Sequence, residues 1–496
     1  MFDADPSLCF ADVPSGSRPN FSAFATQEPS RTNWPLADGV ISLPRTVGGD
    51  QDDVALEYKR VAEGTHGLLT AVGQSLAYID KGYNGAVIVI PRSYSSHGHP
   101  AEHVVSILDS NEIDGRVGVF DYEDPDKSSP YPFRGRIRCI RPITVAPSAI
   151  GKRPSASKPS TQWVHLREGS TTRDVIYCYL KSAILLAGGG SAPPSYGIPE
   201  EMVSAVSRID ATADVEEFLG YTSDSSLGSQ IWKDFWFKYV ATPEVLTPFK
   251  RSGSTYVAPA AFTKVLKDDG SGHSQIFEGR ANGLKETICT RLNDGVIAED
   301  QAWEEMANGI SISSGQNKQG VRSRAHSYRE DVDSAVAQLQ WIDNSGQPTD
   351  EGYRFVSICE RFGGPNSSAA VKYFGATLIQ TGHYGTFLHY VHRLSEEIFL
   401  DDPLAFSKSK GGVSVFDEDS YWEYLRVLQS HMENDLKVLR KVSGRSRPRS
   451  RTIFQAELTF LRKYGFIPES RSNRYRLGVG LPINWVRVNE AMQVEL

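Results

Sequence analysis

Ala37-Asp38-Gly39-Val40-Ile41-Ser42-Leu43 and Val54-Ala55-Leu56-Glu57-Tyr58-Lys59 are the two stretches whose reading decides the fold. Both are short apolar runs beside polar, glycine-containing segments, the pattern of paired strands. In extended chain, residues i and i+2 share a face about 7 Å apart. Glu57 and Lys59 therefore point one way, and Leu56 and Tyr58 the other. Two carboxylates, Asp38 and Glu57, gathered with Lys59 at the ends of paired strands make a place for a hard divalent cation. An ammonium beside that cation can steady negative charge as it develops. The same residue types also fit a plain turn at Asp38-Gly39 and a solvated sheet face at Glu57 and Lys59. Asp50, Asp52 and Asp53 are competing acids that read as a polar hairpin loop after Gly48-Gly49.

The flanking sequence narrows the choice. His66 to Tyr78 reads as a helix containing Gly73-Gln74-Ser75-Leu76-Ala77-Tyr78, and Gly85-Ala86-Val87-Ile88-Val89-Ile90-Pro91 reads as a buried strand. A short helix (Ala101 to Leu108), a strand (Val117 to Phe120) and a last strand (Arg136 to Ile140) follow. An Asp at a hairpin, then a strand carrying Glu-x-Lys, then Gln74 on the following helix with Tyr78 four residues on, resembles the PD-(D/E)xK, or restriction-endonuclease-like, nuclease superfamily. The resemblance spans about residues 25–125. Two departures stand out: Ala37 precedes Asp38 where the family pattern has Pro, and the Pro-, Ser- and Asn-rich residues 13–35 contain Glu28 as their only acid. The role of Glu28 stays open.

The resemblance implies an α/β fold with a mixed-sheet core. It implies Mg²⁺ held by Asp38 and Glu57, with the Tyr58 carbonyl as a further candidate oxygen. It also implies Lys59 orienting or deprotonating the attacking water, and Gln74 steadying the site or the DNA backbone. The expected activity is hydrolysis of phosphodiester bonds in duplex DNA, as in a type II restriction or phage-defence endonuclease. A double-strand break would then need a homodimer or sequential nicking. Two other readings stay open: a catalytically inactive DNA-binding regulator or scaffold, and a structure-specific or RNA-directed nuclease.

The chain has 496 residues, which is too many for one core and fits two to four domains. No apolar run is long enough to span a bilayer, and the acidic start Met1-Phe2-Asp3-Ala4-Asp5 is unlike a signal peptide. Five scattered cysteines, none in a CxxC pair, suit a reducing compartment, so the expectation is a cytoplasmic protein. Gly188-Gly189-Gly190 lacks the Lys-Ser/Thr of a phosphate-binding loop, and no nucleotide cofactor is expected.

The net charge of −7 hides an uneven distribution. Residues 437–476 hold twelve Lys or Arg against Glu457 and Glu469, a local +10 that leaves −17 for the rest. A basic segment on an acidic body is an electrostatic footprint for a polyanion. Arg445, Arg447, Arg449, Arg451, Arg471, Arg474 and Arg476 are the candidate DNA-contacting residues, though such a run also suits a solvated linker.

The expected organisation is an arm (1–35), a nuclease domain (36–145), a helical middle domain (163–330) and a basic, winged-helix-like region (331–496). One wing is expected after Gly346-Gln347-Pro348-Thr349, with Tyr353-Arg354-Phe355 extended; a plain helix–turn–helix pair in a bundle fits the same residues equally well. A second is expected from Phe466-Ile467-Pro468 and Arg474-Tyr475-Arg476-Leu477, after a helix at Ile453–Tyr464 capped by Gly465. His97, His99 and His103 with Glu102 form a His-rich loop. Without Cys or Asp at ligand spacing, it reads as a segment beside the cleft and not as a zinc site.

Overall fold

The computed structural model describes residues 20–23, 37–44, 51–93, 97–113, 115–123, 137–145, 163–167, 169–190, 196–265, 276–311, 317–343, 345–435, 439, 454–469 and 476–496. The chain divides into two compact units. One comprises Met1–Trp163 with His383–Gln493, the other Val164–Gly382 with Val494–Leu496.

The first unit is built on a six-stranded mixed sheet: β1 (Asn20–Ala23), β2 (Gly39–Pro44), β3 (Gln51–Tyr58), β4 (Gly85–Pro91), β5 (Val117–Tyr122) and β6 (Ile137–Arg141), in that spatial order. The central steps β3–β4 and β4–β5 are parallel, and the outer steps are antiparallel. Parallel neighbours need crossover connections. Helix α1 (Gly64–Lys81) links β3 to β4, and α2 (Pro100–Ser110) links β4 to β5. Pro100 occupies the first turn of α2, where its missing N–H is not needed. Gly82, with φ of 111°, closes α1 in the left-handed conformation.

Strand alternation sorts the core into two layers. Leu68 and Ala71 of α1 and Ala101, Val104 and Leu108 of α2 pack on Ile88, Ile90, Val117 and Val119. The opposite face carries Ile41, Val54, Leu56, Val87, Val89, Phe120 and Ile143. Val87 to Ile90 are all buried. Such burial contributes about 1.5–3 kcal/mol per large aliphatic side chain, which makes β4 the anchor of the sheet. Ile143 lies directly over Gly85 and Gly118, where an added Cβ would meet it at 2.5 and 3.2 Å.

The strands and helices expected between residues 37 and 141 are present. Two local readings are corrected. Asp52 and Asp53 lie within β3, opposite Leu43 and Ser42, and not in a hairpin loop. Residues 20–23, read as part of a loose arm, pair with β2.

The second segment of this unit contributes helices Tyr384–Asp401, Glu418–Ser430, Gln455–Lys463 and Trp485–Met492. A hairpin, Lys408–Lys410 with Val413–Val415, turns at Gly411-Gly412, both at positive φ. Trp163 packs edge-on against Phe387 at 5.1 Å and donates its indole N–H to Glu457 at 3.2 Å.

The other unit is helical with two small hairpins. One of its helices, Val321–Gln338, runs through residues 330 and 331, where the sequence suggests a domain boundary. The wing expected after Pro348-Thr349 is instead a helix, Asp350–Phe362. Thr349 is its N-cap, accepting from the Gly352 N–H at 3.3 Å, and Asp350 and Glu351 fill the acidic first turn. Gly352, Phe355, Val356 and Cys359 are buried at helical spacing. The helix start also sits so close to Trp341 that a Cβ at Gly352 would meet its carbonyl at 2.4 Å.

Of the second expected wing, residues 470–475 lie outside the described residues. Phe466 and Ile467 are buried after the helix Gln455–Lys463 and its positive-φ Gly465, and Arg476 forms a single bridge to Gly480. Among the described residues of that stretch there is no strand. No helix among the described residues is long and apolar enough to cross a membrane.

Candidate active site

The site forms where β2 begins and β3 ends. These strands are antiparallel, and Gly39 pairs with Leu56. Asp38, one residue before β2, is thereby carried to the end of β3, where Glu57 and Lys59 stand. Its N–H donates to the Leu56 carbonyl at 3.0 Å, and its Oδ2 accepts from the Tyr58 N–H at 2.7 Å. The acid is therefore fixed by backbone pairing on both sides. Asp52 and Asp53 are four to five residues back along β3, roughly 13–16 Å away at the strand rise, and take no part.

Glu57 and Lys59 share a face, as their spacing requires, and that face meets α1; both are buried. Lys59 Nζ lies 2.7 Å from Glu57 Oε1 and 3.4 Å from Glu63 Oε2, and it donates to Gln74 Oε1 at 3.2 Å. Tyr78, fully buried on α1, donates a short hydrogen bond to the other oxygen of Glu57. One helical turn separates Gln74 from Tyr78, so α1 presents both to the end of β3. The structure thus brings Asp38, Glu57, Lys59 and Gln74 together and adds Tyr78, whose spacing from Gln74 was legible in the sequence.

Glu63 was not anticipated. It ends the 3₁₀ turn Val61–Glu63 that leads into α1, accepts from the Arg60 N–H at 2.9 Å and reaches back to Lys59. An acidic residue four after a lysine at a helix start is a common surface pattern, so the sequence offered no signal to set it apart.

Glu57 and Glu63 on the one buried ammonium, with Asp38 close enough to sense all three, leave the site with excess negative charge. Asp38 registers it. As a residue it is exposed, yet its carboxylate is partly desolvated, and desolvation pushes its pKa up to about 6. Repulsion from Glu57 and Glu63 acts in the same direction, while the Tyr58 N–H and Lys59 oppose it. For Lys59, desolvation favours the neutral amine, but the hydrogen bonds and charges of Glu57 and Glu63 outweigh it and hold the group above the ordinary lysine value. Burial and Glu57 likewise raise the Tyr78 hydroxyl far above a free tyrosine.

Among the described residues no three His, Cys, Asp or Glu side chains converge as a metal cage. The oxygens of Asp38 and Glu57 nevertheless suit Mg²⁺, which takes one or two carboxylates and completes its octahedron with water and substrate phosphate. The raised Asp38 carboxyl is the group whose charge such a cation would relieve.

On the opposite face, exposed Tyr58 stacks on Tyr122 at 4.9 Å, and the Tyr122 hydroxyl donates to the Lys59 carbonyl at 3.0 Å. His97, His99 and His103 flank the start of α2, at the same end of the sheet. The rings of His97 and His103 are 5.4 Å apart, and His99 Nδ1 is 3.9 Å from Glu102. Of the basic candidates, Arg476 is exposed. Arg445, Arg447, Arg449, Arg451, Arg471, Arg474 and also Glu28 lie outside the described residues. No protein-family model matches the chain, and no curated protein matches it.

Proposed function

We propose that this protein is a Mg²⁺-dependent endonuclease acting on duplex DNA, of the restriction or phage-defence kind. The observation that carries the reading is the convergence of Asp38, Glu57, Lys59 and Gln74 from three elements onto one end of the sheet. A chance Asp…Glu-x-Lys in sequence gives no reason for Gln74, fifteen residues on, to bond the lysine.

Asp38 and Glu57 would hold the cation, with the Tyr58 carbonyl as a further oxygen. When bound, Mg²⁺ would polarise the phosphodiester and acidify a coordinated water. Lys59, held as an ammonium by Glu57 and Glu63, is suited to orient the attacking water and to offset charge on the phosphoryl oxygens, and is poorly suited to remove a proton. Gln74 and Glu63 fix its direction. Tyr78 fixes the Glu57 carboxylate, leaving lone pairs on both oxygens for a cation. The water oxygen attacks phosphorus as its proton passes to solvent, the P–O3′ bond breaks, and the departing 3′-oxygen takes a proton from solvent, so the products carry a 5′-phosphate and a 3′-hydroxyl. One such site cuts one strand, so double-strand cleavage would require two copies or two encounters.

The test is cleavage of supercoiled plasmid and phage DNA by the wild type and Lys59→Ala, each with Mg²⁺ or EDTA. Discrete fragments that vanish in EDTA and in the variant support the reading. Cleavage that survives Lys59→Ala removes the catalytic assignment. A wild type that binds DNA but never cuts it moves the protein to the regulator class.

A further inference from the structure

A second cluster sits in the same row of the sheet as Lys59. The Lys59 N–H donates to the Val89 carbonyl, which extends the β3–β4 register so that Lys59 lies beside Ile90. Ile90 pairs with Asp121, and Asp121 with Arg138 on β6, the last strand of the sheet. Directly paired residues share a face. Lys59, Asp121 and Arg138 therefore line one face, with Arg138 three strand spacings, about 14 Å, from Lys59.

Asp121 is fully buried, and two arginines converge on it. Arg138 grips both of its oxygens, Nε to Oδ1 at 3.0 Å and Nη2 to Oδ2. Arg92 Nε stands 3.6 Å from Oδ2, while its other end pairs with Glu123. The Arg92 side chain is 25% exposed and that of Arg138 47%, so the partly open guanidinium is the one on the edge strand. Among the described residues, Arg138 Nη1 has no hydrogen-bond partner. A bidentate carboxylate grip fixes the guanidinium plane in advance and leaves its remaining donors for an incoming acceptor.

We propose that Arg138, aimed by Asp121, contacts a backbone phosphate of the same DNA strand a few nucleotides from the scissile one. The inference rests on the nuclease reading. The phosphates of one strand wind round the duplex while rising about 3.4 Å per nucleotide, so a straight line of about 14 Å reaches a phosphate only a few nucleotides away. Arg138 is on this account a positioning residue that sets how the strand lies across the sheet end. Arg92 shares Asp121 and keeps that carboxylate from fully neutralising Arg138.

The test measures binding, not cleavage. Anisotropy of a labelled duplex oligonucleotide is followed in EDTA from about 50 to 200 mM salt for the wild type, Arg138→Gln and Arg138→Lys. Removing one phosphate-binding cation makes the slope of log K against log salt shallower by about 0.9. Arg138→Gln should show that change and Arg138→Lys should restore the original slope. If the slope in Arg138→Gln equals the wild type's, whatever the affinity or thermal stability, the pair merely ties β6 to the sheet and the proposal fails. A wild type that binds no duplex DNA overturns the nuclease reading itself, a result distinct from an unchanged slope.

Discussion

Lys59→Met separates the charge of Lys59 from its packing. Methionine keeps most of the aliphatic stem and removes the ammonium 2.7 Å from Glu57 Oε1. The side chains are 9% and 3% exposed, so the pair counts as buried. Removing one partner of such a pair costs about 3–5 kcal/mol, because the other charge is left uncompensated. Glu57 keeps its bond from Tyr78 and can take up a proton, so the lower end, about 3 kcal/mol, is expected. At about 2–4 °C per kcal/mol for a domain of this size, Tm should fall by roughly 6–12 °C in EDTA. If Asp38 and Glu57 bind Mg²⁺, the cation supplies the missing charge. At a hundredfold excess over Kd, binding adds about 2.7 kcal/mol, so each protein that binds Mg²⁺ should melt roughly 5–11 °C above its own value in EDTA. Differential scanning fluorimetry of both proteins, with Mg²⁺ and with EDTA, measures this directly. A wild-type Tm that Mg²⁺ does not move would refute a cation site on Glu57, and no deficit in EDTA would refute the buried pair.

Three further outcomes are expected. Asp38 is pushed up to about 6 in the folded protein, against about 3.9 in an unfolded chain. Folding therefore takes up a proton in that window, and stability should decline as pH rises through it. Metal binding needs the ionised form, so Mg²⁺ affinity should fall up to tenfold per pH unit below about 6, with the acid limb of cleavage moving to lower pH at high Mg²⁺; an affinity constant between roughly pH 5 and 7 would remove Asp38 from the metal site. Tyr78→Phe deletes a buried donor to a carboxylate and should cost about 1.5–3 kcal/mol while lowering cleavage; unaltered chemical denaturation would show that the hydrogen bond is not maintained in solution. Changing Arg445, Arg447, Arg449 and Arg451 to Ser should flatten the salt dependence of DNA binding by up to about 0.9 for each phosphate no longer neutralised; an unchanged slope would place these arginines outside the interface. Truncation at residue 440 is a poor substitute, because Leu458, Phe460 and Leu461 are core residues and Glu457 holds Trp163.

The parts of the site that were legible are those whose geometry is local. An i, i+2 pair on a strand has to share a face, so Glu57 and Lys59 could be placed together before any fold was known. An i, i+4 pair on a helix has to stack, which joined Gln74 to Tyr78. Glu63 was missed because Glu after Lys at a helix start looks the same whether it faces water or a buried ammonium. Asp121 and Arg138 were missed because their pairing depends on the register of two antiparallel strands, and the partners stand seventeen positions apart. Of the two readings open at Tyr353–Phe355, the helix is the one present, because Thr-Asp-Glu after Pro is a stronger signal for a helix N-cap than for a turn into a strand.

The sequence by itself determined the strands and helices between Ala37 and Arg141 and the side of β3 that carries charge, because period and capping act within a few residues. Only the tertiary structure decided which acid is carried to the end of β3, that Glu63 joins Glu57 on one ammonium, and that Asp121 reaches two arginines. Those facts depend on strand order, register and burial, which arise when distant segments pack and which no window of sequence contains.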